Sequence, residues 1–284
     1  MRAALMGAAL VALLAPGTAR SQPALITQPV WLERPSAEDF ARRYPEIAQI
    51  MNIEAVAVTS CQVDKEGRLK ACAPVSAKPA GLGFEQGTLA SIAQFRMAPN
   101  DAGGQPVEGR PVRVPLRFVL PKFAGSPSPP PTLIEGAIPE SAREIVRLTG
   151  AARRMYPNPE PSLLKVAQRG GDGTEPQALA DGMAAVRLAD AESQNQWEEA
   201  LARALATRLS PAELDQLLAN LKAPAAAAPA DPESAIGKIA RGQDPIFKAM
   251  TADAQRRIGQ AYVARVREIF CKARDCGPEP TPKP

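Results

Sequence analysis

Apolar and polar positions alternate almost without fault near residue 115. Val112, Val114, Leu116, Phe118 and Leu120 point one way, and Arg113 and Arg117 the other, the period of a half-buried strand. Upstream, Ala55 to Val63 forms an apolar run in which Ala57, Thr59, Cys61 and Val63 share one face and Val56 and Val58 the other. The turn Asp64-Lys65-Glu66-Gly67 follows, then a second run from Leu69 to Val75. A helix is predicted around Leu89 to Phe95 from the stripe Leu89, Ile92 and Phe95. Strand, strand, helix, strand in this order is one α+β unit with a small three-stranded antiparallel sheet. Pro115 cannot donate to a ladder, so the closing strand belongs at a sheet edge.

Gly67 suits the left-handed residue of a three-residue hairpin loop with a bulge. That register sets Val63 opposite Leu69 and Cys61 opposite Ala71. A two-residue Glu66-Gly67 loop sets Cys61 opposite Cys72 but pairs Val63 with Lys70. A bulge in the second strand reconciles the two. Either register keeps Cys61 near Cys72, and the two are expected to form a disulfide, the alternative being two small buried thiols.

Ahead of the strands, residues 22–35 are extended and Pro-rich, with Trp31-Leu32 as an apolar anchor. Pro35-Ser36 starts a helical segment in which Phe40 and Tyr44 share a face, and Ile47 and Ile50 continue it past Pro45. Residues 121–139, with Ser126-Pro127-Ser128-Pro129-Pro130-Pro131, read as a polyproline linker.

Beyond it the pattern turns helical, giving a mainly α-helical second domain over residues 140–276 and a disordered tail over 277–284. Ser141-Ala142-Arg143-Glu144 has the form of a capping box. Thr174-Glu175-Pro176-Gln177 starts a helix that runs to Leu209 with a break. Ser210-Pro211-Ala212-Glu213 is the clearest start signal in the chain, and Leu214, Leu217, Leu218 and Leu221 line the helix it opens. Asp231-Pro232 and Asp244-Pro245 start further helices, the last with a stripe of Ile258, Tyr262, Val266, Ile269 and Phe270. Cys271 and Cys276 close a small loop after it, or remain free or intermolecular thiols.

Composition narrows the chemistry. The 284 residues include no His, which removes the commonest general base and metal ligand. A Ser or Cys hydrolase has no base to pair with. Cys271 and Cys276 lack further ligands for zinc. Gly170-Gly171-Asp172-Gly173 lacks the full spacing of a phosphate or calcium loop and reads as a flexible connector. No catalytic residues, metal, cofactor or small-molecule substrate are inferred. The formal charge is +4; without Arg2 and Arg20 it is 4 − 2 = +2, too small to argue for nucleic acid.

Arg2, the apolar run Ala3 to Ala15, the break at Pro16-Gly17 and the small-residue Ala19-Arg20-Ser21 make residues 1–21 a secretory signal with a mature start at Gln22. The run is shorter than the roughly 20 residues that span a bilayer. Export places the protein in the periplasm and its four cysteines in an oxidising compartment.

Over Pro29 to Leu120 the sequence resembles the C-terminal domain of TonB-family proteins, in the secreted branch with paired cysteines. The resemblance is carried by Tyr44-Pro45-Glu46-Ile47-Ala48, Cys61-Gln62-Val63, Asp64 to Arg68, Pro79 to Phe84, Phe95-Arg96-Met97-Ala98-Pro99, Pro106-Val107-Glu108-Gly109 and Val114 to Phe118. Two departures stand out: Ala55 where the family usually has Gly, and the domain preceding the rest of the chain instead of ending it. The resemblance implies a non-enzymatic module that binds a protein partner in the envelope, with an outer-membrane receptor segment as one candidate. The partner would add as a strand at the edge formed by Arg113, Pro115, Arg117 and Val119. A TonB-type energy transducer for receptor-dependent transport is the alternative, and an envelope-binding helical domain docked by the TonB-like part is another. The helical half resembles exported proteins of the DUF2059 type, through Ile145 to Met155 and Leu209 to Pro224.

Overall fold

The computed structural model describes residues 23–120, 132–155, 158–223 and 231–278. The signal segment, its cleavage near Gln22, the linker up to Pro131 and the tail from Glu279 lie outside the described residues.

The α+β unit runs β1 (Trp31–Glu33), α1 (Ala37–Ala41), α2 (Glu46–Ile50), β2 (Ala55–Val63), β3 (Leu69–Lys78), α3 (Phe84–Ile92), β4 (Arg96–Met97) and β5 (Pro111–Phe118). The main sheet is antiparallel in the order β3-β2-β5. The predicted strand faces hold: Ala55, Ala57, Thr59, Cys61 and Val63 of β2 are buried, as are Val112, Val114, Leu116 and Phe118 of β5. They pack on Ile47, Met51, Phe84 and Ile92. Phe40, Tyr44, Phe84 and Phe118 meet edge-on or tilted at 5.1–6.3 Å, the preferred aromatic geometry. The Tyr44 hydroxyl donates to the Ile53 carbonyl at 2.7 Å. Past α3, Arg96 and Met97 form β4, which pairs with β1 and its Trp31 anchor.

The hairpin adopts the reconciled register. Val63 faces Leu69, Gln62 faces Lys70 and Ser60 faces Ala73, so Ala71 and Cys72 together oppose Cys61. Ala71 takes φ +47° to make this bulge, and Cys61 and Cys72 form a disulfide with Cα atoms 4.1 Å apart.

Six residues before the expected start of the helical domain at residue 140, the chain is already docked on the helices. Ile134 donates its N–H to Thr207, Arg203 donates to the carbonyls of Ile134 and Gly136, and Ile138 is buried. The end of the sequence-predicted linker is therefore packed. The helical part comprises α4 (Glu140–Thr149), α5 (Ala151–Met155), α6 (Glu160–Gln168), α7 (Pro176–Arg208), α8 (Pro211–Lys222), α9 (Ala235–Ala240) and α10 (Pro245–Cys271). The Ser210 capping box forms as expected. Ser141 does not cap α4: the helix begins at Glu140 behind Pro139, because Pro at the boundary already stops the backbone. Asp231-Pro232 lies in a turn and Ser234 caps α9 instead. The expected break in α7 is absent; its 33 residues are continuous, held by a long seam against α10.

A single cluster of buried side chains crosses from the sheet into the helices. Leu163 and Val166 of α6, Val186 of α7 and Val266 and Phe270 of α10 join the sheet core. A second cluster, around Trp197, Leu201, Leu205 and Ile258, lies at the other end of α7 and α10.

Candidate functional site

Pro111-Val112-Arg113-Val114-Pro115-Leu116-Arg117-Phe118 folds as β5 because its even positions are apolar and fill the core. Arg113, Pro115 and Arg117 are exposed, and Val119 just past the strand is 54% exposed. On the inner side β5 pairs with β2 along its whole length. On the outer side the Ile26 N–H donates to the Pro111 carbonyl at 2.8 Å, and Ile26 bridges Val112 in parallel. Backbone direction alternates along a strand, so the outward-facing groups after Pro111 belong to Arg113, Pro115 and Arg117. Ile26 covers the first of these and Pro115 has no N–H. The open edge thus runs from Pro115 to Val119, with Arg117 able to offer both a donor and an acceptor.

The opposite edge is less regular. β3 carries the Ala71–Cys72 bulge, a second register shift beside Val75, and Pro74 between them. Bulges and proline blunt an edge against pairing. Lys70, which projects from β3, is held at 2.8 Å by Asp64. That contact and two backbone N–H groups keep the Asp64 carboxyl below its ordinary range.

The exposed face of the sheet carries two cations in one row. Val56 lies opposite Lys78 on β3 and opposite Arg117 on β5, so the two cations flank it in one cross-strand row. Among the described residues neither Lys78, Arg113 nor Arg117 has an ion-pair partner. Beyond this row lies a groove of about 1130 Å3, closed on its far side by the last turn of α10 and the residues after it. There Cys271 and Cys276 form a disulfide with Cα atoms 5.7 Å apart. Arg267 donates to the carbonyls of Asn52, Gly277 and Pro278. Sequence reasoning reached Arg113, Pro115, Arg117 and Val119 but missed Lys78, Val56 and the α10 wall. Cross-strand rows follow from register, and nothing in the spacing of 117 and 270 shows that both line one groove.

The Gly170-Gly171-Asp172-Gly173 loop is not a loose connector, as its composition suggested. Leu82 bridges Thr174, and the Glu175 N–H donates to the Gly81 carbonyl. A Cβ on Gly173 would sit 2.2 Å from Gln86. Asp172 accepts from the Glu46 N–H at the start of α2 and from the Thr174 hydroxyl. Gly173 leaves the room that the Gln86 side chain of α3 fills.

In the helical part Tyr262 donates its hydroxyl to Asp190 at 2.7 Å. Burial pushes the Asp190 carboxyl up, against the lowering effect of that bond. The pair is 72 residues apart and had no signal in sequence. Among the described residues no three Cys, Asp or Glu side chains gather as a metal site, and no helix is long and apolar enough to cross a membrane.

No curated protein matches the chain. Residues 41–120, which span α2 to β5, match the family model of the Gram-negative bacterial TonB protein C-terminal, a non-enzymatic domain that interacts with other proteins such as outer-membrane receptors. The three-stranded unit has the α+β fold of that family, and the chain joins it to a helical part of its own.

Proposed function

We propose that the protein is a non-enzymatic interaction module of the periplasm that receives an extended segment of an envelope protein along β5. The observation that carries this reading is the open edge from Pro115 to Val119 within a TonB C-terminal-type domain. Strand addition draws affinity from backbone groups and specificity from alternate side chains. Arg113 and Arg117 would supply that specificity toward an acidic partner. The signal-like residues 1–21 support export.

The first test is fractionation with N-terminal sequencing. A start at Gln22 in the soluble periplasmic fraction is expected. An intact N-terminus in the inner membrane would overturn the reading in favour of an anchored energy transducer. The edge itself is tested by Arg117→Pro, which removes the last outward N–H without breaking the ladder to β2. A photo-crosslinker at Val119 should capture one envelope protein in the native chain and lose it in Arg117→Pro, with circular dichroism unchanged. Equal capture in both would exclude a strand added at this edge.

A further inference from the structure

A cavity of about 450 Å3 opens in the helical part, between α5, Asn158 and the middle of α7. Its size falls in the range of small-molecule sites, about 300–1,000 Å3. Asp190, Gln194 and Trp197 line it from one face of α7, three or four residues apart. Trp197 is buried and supplies an aromatic wall. Two of the lining side chains are charged, Asp190 and the exposed Arg153 of α5. Among the described residues neither has an ion-pair partner, and they do not pair with each other. Asp190 is partly buried. Its Oδ1 accepts the Tyr262 hydroxyl, and its Oδ2 has no partner among the described residues. Burial with no cation beside it raises its pKa. Two amides complete the lining. Asn158 accepts the Glu160 N–H at 3.0 Å, which leaves its amide N–H groups as donors. Gln194 donates to Glu198 at 3.1 Å, which leaves its carbonyl as an acceptor.

We propose that this cavity binds a small zwitterion, an α-amino acid with an apolar side chain. Its ammonium pairs with Asp190, its carboxylate with Arg153, and its side chain rests against Trp197. The charge count selects this class. A partly buried carboxylate is costly until something brings it a cation. A carboxylic acid or a phosphate would set a second anion beside Asp190. A simple amine would leave Arg153 without a counter-charge. Opposite charges that line one small cavity, and stand beyond ion-pair reach of each other, suit a molecule carrying both signs a few bonds apart. The site is independent of the β5 edge and gives the helical part a ligand of its own.

Isothermal titration calorimetry on the full chain tests this with L-leucine, N-acetyl-L-leucine and L-leucinamide. Acetylation removes the ammonium, amidation removes the carboxylate, and both keep the side chain. Leucine is expected to bind about five times more tightly than leucinamide, the worth of one exposed ion pair. It should exceed N-acetyl-leucine by about tenfold or more, because Asp190 is partly buried and the ammonium also donates hydrogen bonds. In Arg153→Gln leucine and leucinamide should bind alike. In Asp190→Asn leucine and N-acetyl-leucine should bind alike, with circular dichroism unchanged because Asn keeps an acceptor for Tyr262. The chain has two tryptophans, so in Trp31→Phe the emission reports Trp197 alone. It should shift with the same midpoint as the heat.

No heat with leucine at millimolar concentration would overturn the proposal. Leucinamide binding as tightly as leucine would make this a site for amines and refute the zwitterion. Leucine binding that both charge variants leave unchanged, or that leaves Trp197 emission unmoved, would exclude the cavity. None of these results bears on strand addition at β5.

Discussion

Gly67 and Thr59 belong to the same hairpin, one in its loop and one in its strand, and respond to substitution in opposite directions. Gly67 has φ +78°, and a Cβ there would fall 2.1 Å from the Met97 carbonyl oxygen. That atom is backbone and cannot yield cheaply, so Gly67→Ala should destabilise the fold by about 2–3 kcal/mol in urea titration. The Gly67 conformation was legible in sequence because the turn chemistry demands it. Thr59 was read only as an inward-facing strand residue. It is fully buried, and its hydroxyl oxygen has no hydrogen-bond partner among the described residues. Thr59→Val removes that orphan at equal shape and should raise stability by about 1 kcal/mol. Asp39 offers a pH test. The Ser36 hydroxyl and N–H both donate to its carboxylate, which lowers its pKa to about 2. A depressed carboxyl stabilises the fold above its unfolded value of about 3.9, and the contribution disappears as pH falls through about 2. A carboxyl NMR titration of Asp39 should therefore give a midpoint near 2, moving up toward the unfolded value in Ser36→Ala.

At the scale of elements, strands were legible and junctions were not. The alternation in β2 and β5 fixes which side chains are buried, and a period of two admits no second answer once one face is apolar. The Ser210 and Asp244 helix starts were equally plain, since cap, proline and first-turn pattern agree. By contrast the packing of the Gly170–Gly173 loop is not legible, because composition cannot distinguish a glycine that flexes from one that makes room for a packed side chain, as Gly173 does for Gln86. The α10 contact was invisible for a different reason. Arg267 is only 6% exposed, yet on a helical wheel it is one more arginine. It ties α10 to the Asn52 turn, so Arg267→Met would leave buried carbonyls without their donor. A loss of about 2–4 kcal/mol is expected by chemical denaturation, with residues 276–278 losing exchange protection first.

The whole molecule reports on its own integrity through two tryptophans, one on each side of the linker: Trp31 against the sheet core and Trp197 in the far helical cluster. A boundary drawn at the Pro-rich stretch separates strands from helices along the chain, and buried side chains cross it. Single-tryptophan variants Trp31→Phe and Trp197→Phe should therefore unfold in urea with coincident midpoints. Two transitions separated by more than the fitting error would show that the shared cluster does not couple the halves. Family resemblance in residues 41–120 told what kind of sheet to expect. It held no information on the helices that complete the groove, because pairwise burial between distant segments leaves no period to read.

The tie between Arg267 and the Asn52 carbonyl has a consequence for biogenesis. The two lie 215 residues apart. The chain emerges N-terminus first, so the strands precede the helix that seats on them. Until α10 arrives, the surface it covers stays open to water. A chain truncated before residue 245 would therefore carry a complete sheet and an uncovered flank, a species for holdase chaperones and proteases to sort.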